Sequence, residues 1–105
     1  MQEERQKGLM PVYSRASLDA RVRLAPNVLC QELEGEAVML NLDRGFYYSL
    51  DEVGAAMLRL MDSGTLESVA AGIEREYDVE PERCRADVLR LAGQMLEHGI
   101  LEIAS

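Results

Sequence analysis

The sequence has no tryptophan, one phenylalanine and four tyrosines. A core without large rings has to be built from Leu, Val, Ile, Ala and Met. There is one histidine, His98, and there are two cysteines, Cys30 and Cys84, which belong to no pair motif. That donor set falls short of a closed tetrahedral metal sphere. It points instead to two reduced thiols, buried or half-buried, and with no signal peptide in view the expected compartment is the cytoplasm. No apolar run approaches the length of a membrane span, about 20 residues, so no membrane partner is expected. Basic residues number 11 against 19 acidic ones, a net charge of −8. An acidic balance opposes non-specific nucleic-acid binding, which depends on neutralising phosphates. The chain also lacks a phosphate-binding glycine loop, a nucleophile elbow and a paired metal motif. No catalytic residue, metal ligand or cofactor site is therefore assigned.

At 105 residues, with 48% apolar and 29% charged residues, the chain has the composition of one ordinary globular domain. Residues Met1–Ser17 are polar and aperiodic apart from Leu9, Met10, Val12 and Tyr13, and read as a flexible arm. Such an arm is a low-cost route to a homodimer by exchange between subunits. The domain proper is expected over residues 18–105. Leu18–Leu24 alternates weakly, and Ala25-Pro26-Asn27 breaks the chain. Val28–Glu34 and Ala37–Leu42 read as two strands joined by a turn at Glu34-Gly35-Glu36. Leu42-Asp43-Arg44-Gly45 then reads as a hairpin loop with Gly45 at a φ > 0 position. A third strand, Phe46–Leu50, holds three of the chain's five aromatics. Consecutive hairpins predict a three-stranded antiparallel meander.

Three helices follow. The first has Asp51 as N-cap and runs to about Asp62, with Val53, Ala56, Met57, Leu60 and Met61 at helical spacing. The second is capped by Thr65 and carries Leu66, Val69, Ala70, Ile73 and Tyr77. The third starts at Pro81, a good first helical residue, and runs to about His98, with Gly99 as the residue that ends it. It carries two apolar rows, one of Cys84, Val88, Leu91 and Met95, the other of Leu89, Ala92 and Leu96. Arg83, Asp87, Arg90, Gln94 and Glu97 form its wet face. Either both rows are core, or one edge of this helix lines a groove beside the third strand. His98, at a helix C-terminus, suits a structural role in the dipole's field. Ile100–Ile103 either adds a strand or packs on the core. The fold class is α+β and winged-helix-like, a three-stranded antiparallel meander followed by three helices.

The third strand goes straight into a helix and so can end its sheet, and an edge strand presents unpaired main-chain groups. That is either an aggregation liability or a docking site for a peptide. By alternation, Tyr48 and Leu50 point inward while Tyr47 and Ser49 point outward. A winged-helix DNA-binding domain, or another protein-interaction module, is the alternative reading. The third helix, with three arginines balanced by Glu82, Asp87 and Glu97, lacks the positive charge that a groove-reading helix carries.

The run Leu40-Asn41-Leu42-Asp43-Arg44-Gly45-Phe46-Tyr47-Tyr48-Ser49-Leu50-Asp51-Glu52-Val53-Gly54 resembles the PqqD-like family. So do Gly64-Thr65, Glu76-Tyr77-Asp78-Val79, Ala86-Asp87-Val88-Leu89 and Gly99-Ile100-Leu101, in order. The resemblance covers about Leu24 to Ile103. The family comprises precursor-peptide recognition elements of ribosomally made, modified peptides, in pathways such as those to pyrroloquinoline quinone and lasso peptides. It implies a non-catalytic adaptor that binds a precursor's leader peptide as an added strand and presents it to a modifying enzyme, a radical-SAM maturase or a leader peptidase. The implied peptide-binding residues are Phe46, Tyr47, Tyr48 and Ser49 on the third strand. On the third helix they are Arg85, Leu89 and Ala92, with Val88 and Met95 between core and groove. The Gly-x-Tyr-Tyr hairpin departs from the pyrroloquinoline-quinone pathway protein and is closer to stand-alone members of lasso-peptide clusters.

Overall fold

The computed structural model describes residues 17–62 and 64–104; most of the expected N-terminal arm lies outside them. The strands are β1 (Val22–Leu24), β2 (Val28–Leu33), β3 (Glu36–Asn41), β4 (Phe46–Leu50) and β5 (Leu101–Ile103). The helices are α1 (Glu52–Met61), α2 (Leu66–Glu76) and α3 (Pro81–Glu97). β2, β3 and β4 form the antiparallel meander, in that order, and β1 pairs with β5 in a separate two-stranded sheet.

Local sequence explains the hairpins. Glu34 and Gly35 both have positive φ, 55° and 84°, and Leu33 faces Glu36. This is a two-residue turn of the primed kind, whose twist matches the strands it joins. In the second hairpin Gly45 takes φ 63°, as its place in the loop requires.

Capping sets the helices. The Asp51 carboxylate accepts from the Gly54 N–H at 2.9 Å, and the Thr65 hydroxyl accepts from the Ser68 N–H at 3.3 Å, each satisfying a donor the first turn leaves orphaned. α3 begins at Pro81 without a side-chain cap. It ends in a Schellman motif, with the Gly99 N–H on the Leu96 carbonyl and the Ile100 N–H on the Met95 carbonyl. Gly99 sits at φ 75°. That turn aims Leu101–Ile103 at β1, where Arg23 faces Glu102 and their side chains form an ion pair at 2.7 Å. The weakly alternating Leu18–Leu24 and the short tail after Gly99 thus complete each other across nearly the whole chain.

The core lies between the inner face of β3 and β4 and the three helices. Met39, Leu66, Ile73, Met95, Ile100, Val69 and Val88 are its largest fully buried side chains. The strand periodicity is clearest in β3, where Ala37, Met39 and Asn41 are buried and Val38 is exposed. β2 is exposed along nearly its whole length. Cys84 is buried, but Cys30 is exposed, correcting the expectation of two sheltered thiols. Cys30 shares the inner parity of its partner Met39, yet it lies on the strand that the helices leave uncovered.

Candidate functional site: the seam between β4 and α3

β4 terminates the sheet order among the described residues. Its alternation is as read from the sequence: Leu50 is buried, Tyr48 half-buried, Tyr47 and Ser49 exposed. β4 and α3 meet through long side chains rather than through close backbone packing. The Tyr48 hydroxyl donates to Gln94 Oε1 at 3.0 Å. The Phe46 ring stacks on the His98 imidazole, with centroids 4.9 Å apart and planes 24° from parallel. Tyr48 reaches the same imidazole, tilted, at 5.8 Å.

Asn41 fixes this end of the seam. It is 2% exposed, the only buried polar side chain among the described residues. Its Oδ1 accepts from the Asp43 N–H at 3.0 Å and the Arg44 N–H at 3.1 Å, and from Asn27 Nδ2 at 3.3 Å. Its Nδ2 donates to the Gly99 carbonyl at 3.1 Å. One amide therefore shapes the β3–β4 loop and ties it to the end of α3. Oriented this way, every polar atom of the side chain is used, which is the condition for burying it at no net cost.

Toward the other end of β4 the seam opens into a depression of about 280 Å³, with Leu50, Val53, Met57 and Leu91 as its apolar part and Asp51, Asp87 and Arg90 among its polar lining. Arg90 and Asp87 form an ion pair at 3.0 Å. The side chains of α3 that face β4 are thus Asp87, Leu91, Gln94 and His98, spaced by three and four residues along one row.

That row is not the one the sequence reading favoured. Arg85 and Gln94 are nine residues apart, as are Leu89 and His98, which is about half a turn around a helix. Arg85 accordingly faces α2, with its Nε 3.9 Å from Glu67. Leu89 is half-buried against the core. Val88, Ala92 and Met95 are 0% exposed, so a ligand cannot touch them in this conformation. The apolar rows of α3 are core except at Leu91, which is half-buried and lines the seam's depression. Phe46, Tyr47, Tyr48 and Ser49 keep their expected places on β4. The amphipathic pattern alone hid Gln94 and His98, because a polar side chain that meets a neighbouring strand reads as a wet face. The signal was their spacing on the side of α3 opposite Arg85 and Leu89.

Among the described residues no group of three or more His, Cys, Asp and Glu side chains is arranged to hold a metal ion. No helix there is long and apolar enough to cross a membrane. What the seam offers is main chain at a sheet end, aromatic surface and an apolar depression with polar walls.

The family model of PqqD, coenzyme PQQ synthesis protein D, matches residues 36–101. The chain belongs to the PqqD family. The matched stretch begins with β3 and ends as β5 begins, so it contains the whole seam. No curated protein matches. Three solved structures share the fold. One is TbiB1 in complex with the TbiA(beta) leader peptide, at 25% identity and TM-score 0.72, covering 76% of this chain and 94% of that one. A second is a lasso peptide synthetase B1 complexed with the leader peptide, at 27% identity and TM-score 0.72, covering 79% and 99%. The third is the PqqD truncation of PqqCD from Methylobacterium extorquens, solved by NMR in solution. It is described as a functional, stand-alone recognition element for ribosomally synthesized and post-translationally modified peptides, at 26% identity and TM-score 0.68, covering 82% and 93%. The described PqqD fold in this chain is that of these recognition domains over nearly their full length.

Proposed function

We propose that this PqqD-family chain is an adaptor that binds the leader segment of a ribosomal precursor peptide and delivers it to a modifying enzyme, contributing no reacting group itself. The reading rests above all on one observation: the aromatic strand at the end of the sheet lies beside α3 in a fold shared with leader-peptide complexes. The leader adds as a strand along β4. Main-chain hydrogen bonds then supply affinity, and pockets for alternate side chains supply selectivity. Phe46, Tyr47, Tyr48 and Ser49 are the contact residues on β4. Leu91, Gln94 and His98 take the place on α3 that the sequence reading gave to Arg85, Leu89 and Ala92. An apolar leader side chain fits the depression over Leu50 and Leu91. The enzyme served is a radical-SAM maturase or a leader peptidase, and the lasso-peptide relatives favour the second.

The test is titration of isotope-labelled full-length chain with the leader of its own precursor. Amide shifts should concentrate at Phe46–Ser49 and at Leu91, Gln94 and His98, and saturate between micromolar and tens of micromolar leader. Saturable shifts confined to α2, or none at all, would refute the reading. Shifts with duplex DNA that vanish with salt would support the nucleic-acid alternative.

A further inference from the structure

The seam does not stop where β4 does. Val53, Met57 and Asp87 line the depression at the end of β4 and also border a second one, of about 320 Å³. The second depression lies between α1 and α3, where Asp78-Val79-Glu80 leads the chain from α2 into α3. Val79, 39% exposed, belongs to its apolar part. Its charged walls are Asp78, Glu80, Arg83 and Asp87, three carboxylates to one guanidinium. Asp87 is paired with Arg90. Asp78 and Glu80 have no ion-pair partner among the described residues. Glu80 holds the N-cap position of α3, yet its side chain makes no capping hydrogen bond. The helix dipole favours a carboxylate there without using up its oxygens.

We propose that this second depression is a specificity pocket for the leader, and that it takes the side chain of an arginine or lysine flanking the strand-forming segment. The proposal rests on the leader-binding reading above and deepens it.

Charge and shape together select the occupant. The methylenes of a long basic side chain cover Val53, Met57 and Val79, while its cationic head stays wet beside Asp78 and Glu80. An acidic side chain would meet two unneutralised carboxylates on a chain that already carries −8. A short polar one would leave the apolar floor uncovered. Arg83 reduces the attraction for a cation, and the two free carboxylates outweigh it.

Continuity with the seam sets the register. Leu91 lines the first depression and Cys84 the second. Seven residues of α3 separate them, a distance of about 10 Å, which about three extended residues span. A strand that continues the antiparallel order of the sheet runs opposite to β4. Its N-terminal flank therefore passes Leu50 and enters the second depression. The basic residue thus stands about three positions N-terminal to the apolar residue held over Leu50 and Leu91. Main-chain pairing along β4 carries little sequence information, whereas pockets read side chains. Two pockets at a fixed interval read a spaced pair, apolar and basic, and so separate one leader from another.

The experiment titrates full-length chain into a synthetic leader of its own precursor, labelled with a fluorophore at the C-terminal end. Asp78→Asn combined with Glu80→Gln removes both free charges at nearly constant shape. It should weaken leader binding at least about threefold at low salt, and the difference should shrink as salt rises from about 50 to about 300 mM. Val79→Lys places a competing ammonium in the pocket and should weaken binding as much. A leader with its basic residue changed to glutamine should lose the same factor on the parent and nothing further on the double variant. Unchanged affinity in the double variant and in Val79→Lys overturns the proposal, and leader-induced shifts at Phe46–Ser49 then leave the seam reading standing. A parent that binds no leader overturns the seam reading itself. A leader without arginine or lysine at that interval overturns the pocket. So does an equal loss on Asp19→Asn with Asp62→Asn, neither of which lines the groove, because overall charge would then be the cause.

Discussion

Asn41 couples a loop, a neighbouring strand segment and a helix end through one side chain that is 2% exposed. Replacing it by alanine leaves the Gly99 carbonyl and the Asp43 and Arg44 N–H groups without their partner. Asn41→Ala should lower unfolding free energy by about 2 kcal/mol, read as a reduced urea midpoint at constant slope, and should loosen the Phe46–His98 stack. Gly99 is the complementary case. At φ 75° a side chain is strained, and a Cβ there would stand 2.9 Å from Asn41 Nδ2. Gly99→Ala should therefore cost at least about 1 kcal/mol. Asn41 in the sequence is one more residue in an apolar strand. Its four contacts come from Asn27, the loop and Gly99, and only folding gathers them.

At the scale of elements, the decisive fact is the rotation of α3 about its axis. Its core face carries Cys84, Val88, Ala92 and Met95, its α2 side carries Arg85, and its β4 side carries Gln94 and His98. Leu89→Asp should therefore act on stability, lowering it by about 2 kcal/mol because a half-buried apolar site takes a charge. It should not erase seam shifts as long as the protein remains folded. Gln94→Ala removes the partner of the Tyr48 hydroxyl; with His98→Ala it should weaken leader binding severalfold or more, with the thermal midpoint changed little. Equal leader affinity in the parent and the double variant would show that α3 does not shape the site. The boundaries of all three helices were legible because caps are local chemistry: Asp51, Thr65, Pro81 and Gly99 announce them. Which row of α3 faces β4 was not legible. Periodicity gives the width of an apolar stripe, whereas the rotation of a helix is set by what packs on each side of it.

For the whole molecule, the titration of sheltered groups sets an alkaline limit. Burial pushes the Cys84 thiol above its ordinary value of 9.0, with Glu74 and Asp87 adding to the shift and Arg85 opposing it. Tyr77 is likewise raised from 10.0, by desolvation first and then by Glu52 and Glu76. A raised pKa means that the folded state favours the protonated form. This contribution is fully present below the unfolded-state value and is lost as pH rises through the folded one. Stability should thus be flat with respect to these groups up to about pH 8 and decline above about pH 9, seen as a falling urea midpoint. Cys84→Ala should remove part of that decline. Exposed Cys30 should be alkylated in the native protein, and Cys84 only on unfolding.

The sequence by itself determined the parts: the meander from its turn residues and alternation, the three helices from caps and spacing, and the membership of a peptide-recognition family from motifs in order. Those features depend on interactions within a few residues, and a few residues are enough to encode them. Only the tertiary structure decided that Leu18–Leu24 and Ile100–Ile103 belong together, that the apolar rows of α3 are core apart from Leu91, and that Gln94 and His98 meet the aromatic strand. Each of these is a contact between segments distant along the chain, fixed by burying one shared core.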